Sequence, residues 1–233
     1  RWGKRSRMLV TLATRTFTPE PTAAALRLGA LARALAAGGD RVRVLTSRLA
    51  PSVASDARQG ADGGSEPGEG AGLVEVRRAP VLRDRTGAVR GYVSYMSFDL
   101  PLIARLLAGP RPDVVVCEPP PTTGVAVRLA CAVRRVPYVY YCADIVSDAA
   151  VLAGVPGLVV RTVAGLESFA LRGARRVIAV SDGVARRARD LGAARVCVVP
   201  NGVRVPSAAA EGVPEGFPSC QGPVFAYTGT VAP

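Results

Sequence analysis

The sequence predicts an α/β fold: a Rossmann-like, doubly wound, mainly parallel sheet. Three observations carry this. Short apolar, β-branched runs alternate with amphipathic segments along most of the chain. The stretch RRVIAVSDGVARRARDLGAARVCVVPNGV (175–203) packs strand, helix, strand and an Asn-Gly turn in immediate succession, as two buried parallel strands joined by a helix do. With 233 residues and 49% hydrophobic content, the chain suits one generous domain better than two.

Met8 to Ala13 reads as the first strand, not a signal peptide, because the apolar run after RWGKRSR is short and lacks a small-residue cleavage site. The loop TRTFTPEPT leads into a helix from about Thr22 to Ala37, with Leu26, Leu28, Leu31 and Leu35 near helical spacing; Gly38-Gly39 ends it. A second strand spans Val42 to Thr46. Residues 51–72, rich in Gly, Ser, Ala and acids, are expected to form a mobile loop. Leu73 to Arg78 is a weaker strand, and a helix from about Tyr95 to Leu107 precedes the apolar central strand Asp113 to Cys117. After EPPPTTG come a helix from about Gly124 to Arg134, the strand Tyr138 to Tyr141, the polar turn CADIVSDAA and a helix from about Gly157 to Arg172. The strand Val177 to Val180 follows, then a helix opened by Ser181 and Asp182, and the strand Val196 to Val199. Pro200-Asn201-Gly202 then stops that strand, Asn and Gly being the residues that enter positive φ most cheaply. Past a Pro- and Gly-rich loop, Val224 to Thr228 reads as one more strand.

Composition excludes several functions. The net charge of +12 is almost all arginine, Lys4 being the only lysine, and it is spread over most predicted helices. Aromatics are 5%, too few for a base-stacking platform, so no nucleic-acid partner is expected. Part of that charge facing anionic lipid is a further option. No apolar run approaches the roughly 20 residues of a membrane span. Cys117, Cys131, Cys142, Cys197 and Cys220 are odd in number and lack CxxC spacing, and there is no histidine. No metal site or disulfide framework is expected, and a reducing cytoplasm is the natural home. A nicotinamide site would need a glycine fingerprint after the first strand, and ATRTFTPEPT has none.

Several segments in order resemble the N-terminal domain of retaining GT-B glycosyltransferases of family 4, in the branch that builds bacterial polysaccharides. FTPEPT is similar to the family's Phe-x-Pro-Glu loop, EPPPTTG to its Pro-Pro turn and helix, and DIVSDAA to an Asp-Leu-Trp-Pro-Asp-Ser stretch. VIAVSDGV and VPNGV resemble the next two segments, and FAYTGT the opening strand of the C-terminal domain. The resemblance implies an acceptor-side domain over 1–205, with 206–233 as interdomain linker and first strand of a truncated donor domain. It implies transfer from a nucleotide sugar to a glycan or lipid-linked acceptor, without a further cofactor, at the cytoplasmic side with peripheral contact at the inner membrane face. A non-catalytic binding module is the alternative.

The resemblance also assigns residues. The loop that opens the first helix would meet the donor diphosphate through Thr22, Ala23 and Ala24, where relatives often carry adjacent glycines; read alone, Thr22 is an N-cap. Glu118 stands where relatives carry a small hydroxyl residue; it either accepts hydrogen bonds from a sugar acceptor or pairs with an arginine. Thr122 and Thr123 would meet acceptor hydroxyls. Asp144 takes the place near which many relatives have a histidine at the reacting centre, the bland reading being a turn residue. Asn201 and Gly202 would shape the interdomain turn. Asp148, Ser181 and Asp182 read as helix-start residues, and Glu167 as part of a helix-face pairing near Arg172.

Overall fold

The computed structural model describes residues 7–50, 53–54, 73–84 and 91–202. Seven strands form one sheet: β1 (Leu9–Ala13), β2 (Arg41–Ser47), β3 (Val74–Ala79), β4 (Val114–Cys117), β5 (Tyr138–Cys142), β6 (Arg176–Ala179) and β7 (Val196–Val198). Their order is β3-β2-β1-β4-β5-β6-β7 and every neighbouring pair is parallel. The order reverses at β1, which is flanked by β2 and β4; Ala13 lies opposite both Leu45 and Cys117. That point is the topological switch of a doubly wound sheet.

The helices are α1 (Ala23–Ala37), α2 (Tyr92–Ala108), α3 (Pro121–Arg134), α4 (Val146–Leu152), α5 (Gly157–Gly173) and α6 (Asp182–Asp190). One sheet face buries Val10, Leu12, Val42 and Val44 against Leu28 and Ala32 of α1. The other buries Leu45, Val115 and Tyr140 against Phe98 and Leu102 of α2, Val127 of α3, Leu171 of α5 and Ala188 of α6. Apolar side chains on both faces of the strands are what parallel sheets with two helical layers require. Where α3 crosses, Gly124 is needed: a Cβ there would stand 2.6 Å from Tyr140 Cε2 and 2.7 Å from Ala170 Cβ. Gly39, in the turn ending α1, takes φ +90, a conformation open chiefly to glycine.

Several sequence expectations change. CADIVSDAA is not only a turn, because its second half forms α4. The cause lies in α5: the fully buried Glu167 carboxylate accepts from Val146 N (2.9 Å), Ser147 N (3.1 Å) and Ser147 Oγ (2.6 Å), satisfying the amides that open α4. Glu167 is therefore a cap for a neighbouring helix, not a partner of Arg172. Helix α3 starts at Pro121, before the expected Gly124, since proline's fixed φ suits the first helical position. Helix α2 starts at Tyr92 and accommodates Pro101. Asn201 and Gly202 follow β7 as expected, but neither has a positive φ; Asn201 Oδ1 instead accepts from the Tyr141 hydroxyl at 3.3 Å. The mobile loop expected over 51–72 lies outside the described residues apart from 53 and 54, and so do the strand expected at Val224 to Thr228 and Cys220. Cys117, Cys131 and Cys142 are free and buried, and burial pushes the Cys131 and Cys142 thiols up to about 12.

Candidate functional site at the switch point

The carboxyl ends of β1 and β4 bring together residues far apart in sequence. Thr14 directly follows β1 and Glu118 directly follows β4; the Thr14 hydroxyl and Glu118 Oε1 are 2.5 Å apart. The same hydroxyl lies 2.8 Å from the Thr16 carbonyl. A hydroxyl has one proton to give, and both a carbonyl and a carboxylate only accept. The Thr14 hydroxyl donates to Glu118 Oε1 and has the Thr16 carbonyl as a second acceptor, so its one proton is shared between them. Burial pushes Glu118 up to about 7, helped by repulsion from Asp144 and opposed by Thr14, Arg27 and Arg15. Glu118 is 5% exposed, and its other oxygen stands 3.9 Å from Arg27 of α1.

A second buried group lies next to the first. Arg15 packs 3.8 Å over the Tyr95 ring centroid and donates to Thr123 Oγ1 at 3.1 Å; Thr123 in turn donates to Asp99 Oδ1 at 2.6 Å. Asp99 is fully buried, its second oxygen has no partner, and desolvation raises its pKa against the pull of Thr123, Thr122 and Arg15. The Arg15 Nε is likewise buried without a partner.

The loop between β1 and α1 is fastened from three sides. Buried Glu20 accepts from Phe17 N at 3.1 Å and pairs with Arg83 at 3.2 Å. Ser47 donates to the Arg15 carbonyl at 2.6 Å, and Arg78 to the Thr18 carbonyl at 2.7 Å. Thr22 caps α1 by accepting from Ala25 N at 3.1 Å, leaving Ala23 and Ala24 in the turn whose amides a helix cannot satisfy internally.

The structure thus gathers Glu118, Thr122, Thr123 and Asp144 on one sheet edge, with α1 opening beside them. Asp144, two residues after β5 in the loop to α4, is exposed and close enough to Glu118 to repel its charge. Thr123 departs from its expected role, because it is 1% exposed and its hydroxyl is occupied by Asp99 and Arg15; it supports the floor of the site. Thr122 is half-buried, but its hydroxyl oxygen is enclosed, close enough to the buried Asp99 carboxyl to oppose its pKa rise. Ser181 caps α6, accepting from Val184 N at 3.3 Å, and Asp148 forms a bidentate pair with Arg187 at 2.6 and 2.8 Å. Thr14, Arg15, Arg27 and Asp99 were not legible as site residues. Asp99 left one sign, a lone acid in the apolar run YMSFDLPLI.

The sequence matches the glycosyl transferase 4-like domain family over residues 22–202. The chain belongs to this family. In this glycosyl transferase 4-like domain the matched segment runs from the α1 N-cap to the Asn-Gly pair after β7 and includes Glu118 and Asp144. Among curated proteins nothing matches. The fold is similar to Arabidopsis thaliana UGT89C1 in complex with UDP-L-rhamnose (13% identity, TM-score 0.57), covering 91% of this chain and 56% of that one. It is also similar to sucrose-phosphate synthase from Thermosynechococcus elongatus (15% identity, TM-score 0.58), covering 84% and 49%. The chain spans about half the length of these structures. Its fold is that of the N-terminal half of a GT-B enzyme. Among the described residues no helix is long and apolar enough to cross a membrane, and no group of three or more His, Cys, Asp or Glu side chains is placed to hold a metal ion.

Proposed function

We propose that the glycosyl transferase 4-like domain is the acceptor-side part of a glycosyltransferase that moves a sugar from a nucleoside diphosphate donor to a glycan or lipid-linked acceptor with retention. The observation that carries this reading is the Thr14–Glu118 contact across the β1–β4 switch point, the place where open α/β sheets bind ligands. Near neutral pH, Glu118 exchanges between a form that donates and a form that accepts a hydrogen bond, which suits an acceptor hydroxyl. Asp144 is the carboxylate that faces the reacting centre, and Thr122, whose hydroxyl is enclosed near Asp99, supports the floor of the site with Thr123 instead of meeting the acceptor. Retaining transfer with the leaving phosphate assisting needs little from a protein base, so positioning and electrostatics dominate. The first-turn amides of α1, at Thr22, Ala23 and Ala24, offer the positive end of a helix to the diphosphate. The UDP-L-rhamnose held by the Arabidopsis fold neighbour supports a donor of that class. The remaining donor contacts are assigned to a second domain of the enzyme. The reaction uses no cofactor, and the enzyme works at the cytoplasmic face of the membrane.

The full-length protein, assayed against a panel of nucleotide sugars with the anomeric configuration of the product read by NMR, tests this directly. Asp144→Asn is expected to lower turnover by about 100-fold while the melting temperature stays close to that of the parent. Parent-like turnover removes Asp144 from the site. Failure of every donor leaves the non-catalytic module.

A further inference from the structure

Arg27, on the second turn of α1, differs from the other enclosed arginines of this fold. Among the described residues every other arginine that is not exposed donates at least one hydrogen bond from its side chain. The Arg27 guanidinium donates none, although its side chain is only 21% exposed and its Nε is fully enclosed. A guanidinium stays charged and carries five donors. Enclosing it without acceptors costs free energy that a bound oxyanion offsets.

The neighbours of Arg27 place it in the switch-point crevice. Its guanidinium stands 5.9 Å from the ring centroid of Tyr141, near the end of β5, and 3.9 Å from Oε2 of Glu118, beyond β4. The second distance is too long for a hydrogen bond, and the shorter contact of Glu118 is with Thr14. Arg15, the other arginine at this edge, is 8% exposed and donates to Thr123. Arg27 is therefore the cation that a ligand entering beside Glu118 can reach. The donor diphosphate is assigned above to the first-turn amides of α1, whereas Arg27 turns to Glu118, the group assigned to the acceptor. A guanidinium fork matches a planar carboxylate through two parallel hydrogen bonds.

We infer that Arg27 makes the acceptor site selective for an acidic glycan, its unpaired donors taking the carboxylate of a uronic acid unit. This rests on the acceptor-side reading proposed above. Glu118 gives the contact a pH dependence. Its carboxyl is faced by Thr14 and Arg15 from the end of β1, by Arg27 from α1 and by Asp144 from the loop after β5. Ionisation of Glu118, at about 7, sets a competing carboxylate beside Arg27. A uronate stays ionised across this range, so its binding weakens as the pH rises through about 7.

Saturation-transfer NMR titrations of the 233-residue chain with methyl β-D-glucuronide and methyl β-D-glucoside, which differ in one carboxylate, test the inference. The glucuronide is expected to bind about fivefold tighter or more. Arg27→Gln should erase that preference and Arg27→Lys should keep part of it, both with melting temperatures near that of the parent. The preference should shrink in the parent as the pH rises through about 7 and show no such trend in Arg27→Gln. Equal binding of the two glycosides, binding of neither, or a preference that survives Arg27→Gln overturns the inference. The UDP affinity of the full-length protein should be the same in parent and Arg27→Gln; a loss gives this arginine to the donor diphosphate and overturns its assignment to the acceptor. Transfer by the full-length protein to neutral acceptors alone sinks the inference and keeps the proposed function. Absence of transfer from every donor counts against the proposed function and leaves the glycoside comparison standing.

Discussion

Glu118 couples protonation of this domain to its stability. In the fold it titrates at about 7 against an ordinary 4.5, chiefly because burial penalises the carboxylate. The folded state therefore holds this proton more tightly than the unfolded chain. The resulting stability is complete below about pH 4.5 and is lost as the pH rises through 7, by about 3 kcal/mol at most. Asp99, also raised by burial, contributes in the same direction. Chemical denaturation of the parent chain at pH 5 and at pH 8 should show greater stability at the lower value. Glu118→Gln should flatten much of that difference, leaving the part due to Asp99. An unchanged difference would mean that Glu118 ionises normally. Sequence reasoning left Glu118 open between an acceptor contact and an arginine pair. The structure places it near Arg27 at 3.9 Å, but the shorter contact is with Thr14, across the sheet.

Helix α4 depends on a carboxylate from another element. Glu167→Ala removes the acceptor for two amides and one hydroxyl, and leaving such buried donors unpaired costs about 1–3 kcal/mol each. A loss of about 3 kcal/mol or more is expected in urea unfolding. Asp148→Ala, which breaks an exposed pair with Arg187, should cost no more than about 1 kcal/mol. Gly124→Ala should destabilise by about 1–3 kcal/mol through contact with Tyr140 and Ala170, read as a lowered melting temperature. These elements also mark how far the sequence was readable. Strands such as Val114–Cys117 announce themselves through β-branched runs bounded by Pro and Gly, and the α1 and α6 caps through Thr22 and Ser181. Helix α4 showed in the sequence only through Asp148, read as a helix-start acid and found in its first turn, while the Glu167 cap was hidden because it comes from a residue beyond the next turn. The Arg15–Thr123–Asp99 chain was hidden because spacing carries no information on which buried polar groups from three elements meet.

The parallel order β3-β2-β1-β4-β5-β6-β7 converts sequence distance into proximity: every β-to-α loop opens on one edge, so Thr14, Glu118 and Asp144 meet there. The glycosyl transferase 4-like match covers six of the seven strands, β2 to β7, and the chain spans about half the length of its fold neighbours. The central claim is that the switch point serves the acceptor while the donor is held mainly elsewhere. Steady-state kinetics of the full-length protein with Glu118→Gln, varying donor and acceptor in turn, test it most directly. The account predicts an acceptor KM raised about tenfold or more with the donor KM unchanged. A raised donor KM with an unchanged acceptor KM would contradict it.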